Sequence, residues 1–187
     1  MKKSIILTMG FILIISFARA QLLKTFMPSP AFGDSLSQVI FDFKHNYIHI
    51  QGESLPPDGD AELFKSKTKI PGAEQCVIYR FHSYEDSTAS FQAIMYRGES
   101  YKEAAKIYRN TFRQVNKMQI NSDKLTSGFL GKMEDPTEDL RFTSSTLKLA
   151  TKDKIYKDFV AEVEMVNSFD GWEVHLNLHN KKNDADQ

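Results

Sequence analysis

The sequence predicts an α+β fold: a two-layer sandwich of two amphipathic helices on a mostly antiparallel sheet of about six to seven strands. Three observations predict it. Tyr101, Ala104, Ala105, Tyr108, Phe112, Val115 and Met118 recur at helical spacing. Leu36, Val39, Ile40, Phe43 and Tyr47 do the same earlier in the chain. Most of the remainder reads as short alternating segments separated by turn residues, as strands joined by hairpins require.

Taken in order, residues 21–33 hold Pro28-Ser29-Pro30 and Gly33 and read as a leader to the domain. Asp34 is a suitable N-cap for the first helix. Val39, Phe41 and Phe43 also alternate, but the longer pattern favours a helix. The stretch from Glu53 to Asp60 contains Pro56-Pro57-Asp58-Gly59, which is turn chemistry. Three strands are expected next, over Ala61 to Lys69, Cys76 to Ser83 and Ala89 to Arg97. Their short connections imply antiparallel hairpins. The second helix runs from Tyr101 to about Met118, opened by a capping box of Ser100 and Glu103. Lys106, Arg109, Arg113 and Lys117 line its other side and read as a solvated face.

Strands resume at Lys124 to Met133, where Gly128 and Gly131 suggest a bulge or close packing. Glu134-Asp135-Pro136 marks a turn before Leu140 to Leu149. The last pair gives the strongest strand signal. Phe159, Ala161, Val163 and Met165 alternate with polar residues, as do Trp172, Val174, Leu176 and Leu178. With Asp170-Gly171 as a two-residue turn, paired residue numbers sum to 341. Met165 then faces Leu176, Val163 faces Leu178, and Phe169 lies beside Trp172. All these apolar residues share one face, with Glu162 opposite His179 and Glu164 opposite Asn177 on the other. The domain thus spans 34–180, and residues 181–187 form a polar tail.

The order helix, three strands, helix, further strands suggests a duplicated helix-plus-three-strand unit. That order resembles the α+β domains of bacterial secretion chaperones. The chain is also similar in general appearance to small exported, uncharacterised proteins of Gram-negative bacteria.

Export is the clearest functional expectation. Lys2 and Lys3 precede an apolar run of 13 residues, Ile5 to Phe17, and Ala18-Arg19-Ala20 supplies small residues for cleavage before Gln21. Residues 1–20 read as a signal peptide, since a spanning helix needs about 20 apolar residues. Cleavage leaves a periplasmic or extracellular chain of 167 residues with no stable membrane insertion. Losing Lys2, Lys3 and Arg19 leaves 21 basic against 24 acidic residues, a net charge of −3 that gives nucleic acid no attraction. Cys76 is the only cysteine, so no intrachain disulfide forms; its apolar neighbours Val77-Ile78-Tyr79 place it in the core.

No metal, cofactor or catalytic residue emerges from the motifs. His45 and His49 have helical spacing, but Asn46 stands where a zinc protease needs glutamate. His175 and His179 on one strand lie about 13 Å apart, too far to share an ion. They read instead as members of a solvated sheet face, with Glu162 as partner of His179. Glu162 and Glu164 lie about 7 Å apart on one strand face, a separation compatible with glycoside hydrolysis. Alternating acids are nonetheless routine on exposed sheets. Ser144-Ser145-Thr146 lies in a strand pattern without a nucleophile elbow. The expected function is non-catalytic binding of a protein or small-molecule ligand. The alternative is a small secreted hydrolase whose site assembles only in three dimensions.

Overall fold

The computed structural model describes residues 29–82, 87–122 and 125–181. Residues 1–20, expected to be a signal peptide, and most of the expected leader and tail lie outside them. The described elements are α1 (Pro30–Phe43), β1 (Gln51–Asp58), β2 (Ala61–Ser66), β3 (Gln75–His82), β4 (Ser87–Gly98), α2 (Tyr101–Lys117), β5 (Gln119–Ser122), β6 (Leu125–Gly131), β7 (Phe142–Leu149), β8 (Phe159–Ser168) and β9 (Gly171–Asn180). A short 3-10 turn, Lys154–Tyr156, precedes β8. The α+β class holds.

α1 begins four residues before the expected cap. Ser29 is the N-cap, its Oγ accepting from Phe32 N at 3.2 Å, and Pro30 occupies the first turn. Proline there loses no helical hydrogen bond and arrives with the right φ, so the Ser-Pro pair opens the helix rather than closing a leader. α1 ends at Phe43. Asn46 and Tyr47 then take positive φ values of 55° and 58°, which turn the chain toward β1. Tyr47 is therefore buried from outside the helix, and its hydroxyl donates to Leu178 O at 2.9 Å.

The nine strands form an antiparallel sheet in the order β1-β2-β3-β4-β9-β8-β7-β6-β5. Two strands exceed expectation, and both are edges. β1 carries Pro56 and Pro57, which it tolerates because one side of its backbone makes no ladder and its pairing with β2 is irregular between Leu55 and Asp58. Only Gly59 and Asp60 form its turn. β5 is four residues long, too short for a periodic signal. Each helix thus precedes a meander, of four strands after α1 and five after α2, and the meanders meet where β4 pairs with β9. The unit is larger than helix plus three strands.

One core cluster takes Leu36, Val39 and Ile40 from α1, Ala105, Tyr108, Phe112 and Val115 from α2, and one face of the central strands. Cys76 belongs to it at 5% exposure. Burial raises the Cys76 thiol pKa. Phe43 packs against Phe159 with ring centroids 4.6 Å apart, and Tyr101 meets Trp172 edge-on at 5.3 Å. In α2 the Ser100 Oγ accepts from Glu103 N at 3.3 Å. The Glu103 carboxylate accepts from the Tyr96 hydroxyl at 3.4 Å. Gly131 is needed for close approach, since a Cβ there would lie 2.5 Å from Thr146 O.

The β8–β9 register corrects the sequence reading. Ser168 pairs with Gly171, Met165 with Val174 and Val163 with Leu176, so paired numbers sum to 339. Phe169 and Asp170 form the turn, Asn167 rather than Phe169 faces Trp172, and Phe169 is fully exposed. Aspartate-glycine suggests a turn with both central residues at positive φ. Here the positive φ, 112°, falls on Gly171 at the start of β9. A Cβ at Gly171 would also lie 2.7 Å from Gly98 O on the neighbouring strand. The pairing shift is two residues, which preserves side-chain parity, so every residue keeps its expected face.

Candidate functional site

The sheet face turned away from the core cluster gathers the polar groups. Cross-strand pairing places Ser144 and Thr146 of β7, Glu162 and Glu164 of β8, His175, Asn177 and Glu173 of β9, Gln92 and Arg97 of β4, and Tyr79 of β3 on it. These are the even positions of β7 and β8 and the odd positions of β9, where strand alternation alternates core and outer side chains.

Glu162 is the most heavily bonded group. Its Oε1 accepts from Ser144 Oγ at 2.5 Å and from Thr146 Oγ1 at 3.3 Å. Its Oε2 lies 3.3 Å from His179 Nε2. The expected Glu162–His179 pair therefore exists, but diagonally, because Asn177 stands directly opposite Glu162. The His179 hydrogen bond holds the Glu162 carboxyl well below its usual range, at about 2, with help from Ser144 and Lys181 and against the effect of burial.

Glu164 behaves oppositely. Burial and the neighbouring Glu162 charge raise its pKa, although Asn177 Nδ2 donates to its Oε2 at 2.6 Å. Directly opposite, His175 lies between two carboxylates, with Nε2 2.7 Å from Glu173 Oε2 and Nδ1 3.9 Å from Glu164 Oε2. Glu173 also accepts from Arg97 Nε at 3.1 Å. Farther across, the Tyr79 hydroxyl donates to Gln92 Oε1 at 3.3 Å. Burial and the Asp58 and Glu173 charges push the Tyr79 pKa up, while Arg97 pulls against them.

The face is less solvated than the sequence implied. The His175 and His179 side chains are 14% and 13% exposed, and the glutamates 21–26%. His175 stands between Glu164 and Ile94 of the adjacent strands, and His179 stands opposite Val160. Asn177 Oδ1 is buried without a hydrogen-bond partner among the described residues.

His45 and His49 do come together, with ring centroids 4.7 Å apart, but beyond the end of α1 rather than on it. The Asp42 carboxylate organises that turn. It accepts from His49 N and Ile50 N at 3.1 Å each and meets His49 Nδ1 at 2.5 Å. Among the described residues, no group of three or more His, Cys, Asp or Glu side chains is arranged to hold a metal ion. None of their helices is long and apolar enough to cross a membrane. On the basic side of α2, Arg109 pairs with Asp135 at 2.9 Å.

Sequence reasoning found Glu162, Glu164, His175 and His179 on one face. It assigned no role there to Ser144, Thr146, Gln92 or Tyr79. Their signal was the polar alternation of β3, β4 and β7, but which of those strands neighbours β8 or β9 depends on sheet order. Comparison with protein-family models, with curated protein sequences and with solved structures finds no match.

Proposed function

We propose that this chain is an exported, non-catalytic binding domain that takes its ligand on the outer face of the sheet, with the two helices forming the second layer behind it. The layout further suggests two related helix-plus-meander units. Signal-like residues 1–20 support export to the periplasm or the extracellular medium, and the charge balance supports a ligand other than nucleic acid.

One observation carries the binding reading. Glu162 is held by Ser144, Thr146 and His179 with its pKa at about 2. A carboxylate so stabilised is a feeble base and a feeble nucleophile near neutral pH. The lattice around it fixes side chains in place, which favours recognition over proton transfer. The raised pKa of Glu164 is the observation that favours the alternative, a secreted hydrolase using Glu164 as general acid.

The test is site-specific photo-crosslinking in the native cell. A crosslinker at Ser144 or Gln92, on the outer face, is expected to form adducts. One at Lys106, exposed on α2, is expected to form none. Adducts from Lys106 alone count against the reading. Turnover of a glycoside panel that disappears in Glu164→Gln establishes the hydrolase instead.

A further inference from the structure

The outer face divides into two kinds of surface. Toward β3 it is aromatic: the Tyr79 and Phe81 rings lie nearly parallel, 10° apart in plane with centroids at 6.3 Å, and Phe81 is 46% exposed. Toward β9 and β8 it is polar. The two surfaces join at the Tyr79 hydroxyl, which bonds Gln92, itself directly opposite Asn177.

The central charges already have partners within the face. Arg97 meets Glu173, Glu173 meets His175, and Glu162 meets His179. An ionic ligand would have to break these pairs. Burial and the Glu162 charge disfavour the charged form of Glu164 as well. What the face offers unspent is the amide nitrogen of the half-buried Gln92, whose oxygen accepts from Tyr79, whereas Asn177 Oδ1 is buried beneath the face, out of a ligand's reach. A purely apolar ligand would cover the Gln92 amide donor without matching it, at a cost.

A ligand that suits this surface has a flat C–H face to lie on aromatic rings and hydroxyls that both donate and accept. Building on the binding reading, we infer that the outer face binds a neutral oligosaccharide, with one sugar ring stacked on Tyr79 and Phe81 and a hydroxyl of that or the next ring accepting from the Gln92 amide. From β3 to β8 the face crosses three strand spacings, roughly 14 Å, room for more than one sugar ring.

The experiment is calorimetric titration of the protein as purified from cells with maltotetraose, cellotetraose and chitotetraose, and with tetralysine and tetraglutamate as charged probes. At least one neutral tetrasaccharide is expected to bind saturably. Phe81→Ala is expected to weaken that binding about tenfold, the scale of one aromatic contact. Because Phe81 is exposed, the variant keeps its fold, and an unchanged melting temperature checks this. Gln92→Ala is expected to weaken binding also, whereas Lys106→Ala is expected to leave it unchanged. Absence of saturable binding by all three sugars overturns the inference, as does binding that Lys106→Ala abolishes and Phe81→Ala leaves intact. Tighter binding of tetralysine or tetraglutamate overturns it too. Outer-face crosslinks then leave the binding reading standing, while crosslinks from α2 alone remove both.

Discussion

Glu162 and Glu164 stand two residues apart on one face of β8, yet their surroundings drive their proton affinities in opposite directions. Glu162 titrates at about 2 when folded, against 4.5 for an unperturbed glutamate. Its contribution to stability is present in full above about pH 4.5 and is lost as the pH falls toward 2. Glu162→Gln is therefore expected to lower stability at pH 7. The gap between variant and parent is expected to narrow between pH 4.5 and 2, as read by urea unfolding at several pH values. A constant gap would mean that Ser144 and His179 do not hold the charge. Glu164 has the opposite sign. Its folded pKa lies above 4.5, so its contribution is full below that value and is lost as the pH rises through the folded pKa. Glu164→Gln keeps an oxygen for Asn177 and removes a charge that burial disfavours. The variant is expected to be more stable than the parent at pH 7 and to lose that advantage near pH 4. A loss of stability at pH 7 would show that the Glu164 charge is used by His175.

At the scale of elements, the β8–β9 hairpin tests the division between core and outer face. Leu176 is fully buried, and Leu176→Ala is expected to cost about 2–5 kcal/mol in denaturant unfolding. Asn177, its neighbour, is expected to cost only about 1 kcal/mol on truncation to alanine. It loses the bond to Glu164, but its Oδ1 already lacks a partner. Equal losses would mean that both faces are covered. Gly171 tests the turn. Its φ of 112° and its approach to Gly98 both exclude a side chain. Gly171→Ala is expected to destabilise by about 1–3 kcal/mol from backbone strain alone. A neutral result would mean that Gly171 holds no positive φ and does not approach Gly98.

For the whole molecule, the two meanders share the β4–β9 seam and one core, so the polar face is continuous across both halves. The proposal that the chain is exported rests on Lys2, Lys3, the apolar run and Ala18-Arg19-Ala20. Mass spectrometry of the exported protein is expected to find Gln21 at the N-terminus. An intact chain beginning at Met1 and held in the inner membrane would sink the export reading.

Periodicity alone placed α2, β2, β3, β4, β7, β8 and β9 within a few residues, because each has one face in the core and one outside. The same parity put Glu162, Glu164, His175 and His179 on a common face, and it withstood a two-residue error in pairing. Cys76 was legible as a core residue from its apolar neighbours. The start of α1 was also present in Ser29-Pro30, but proline reads locally as a break as readily as a first turn. The edge strands had little local signal: β1 carries prolines that only an irregularly paired edge accepts, and β5 is too short to show a period. Tertiary structure alone decided that β9 pairs on its other side, away from β8, with β4. That pairing brings Gln92 to Asn177, while the β7–β8 pairing brings Ser144 to Glu162. The physical reason is that a strand's own sequence specifies which side chains point inward, whereas its neighbours are chosen by how the whole sheet closes over one core.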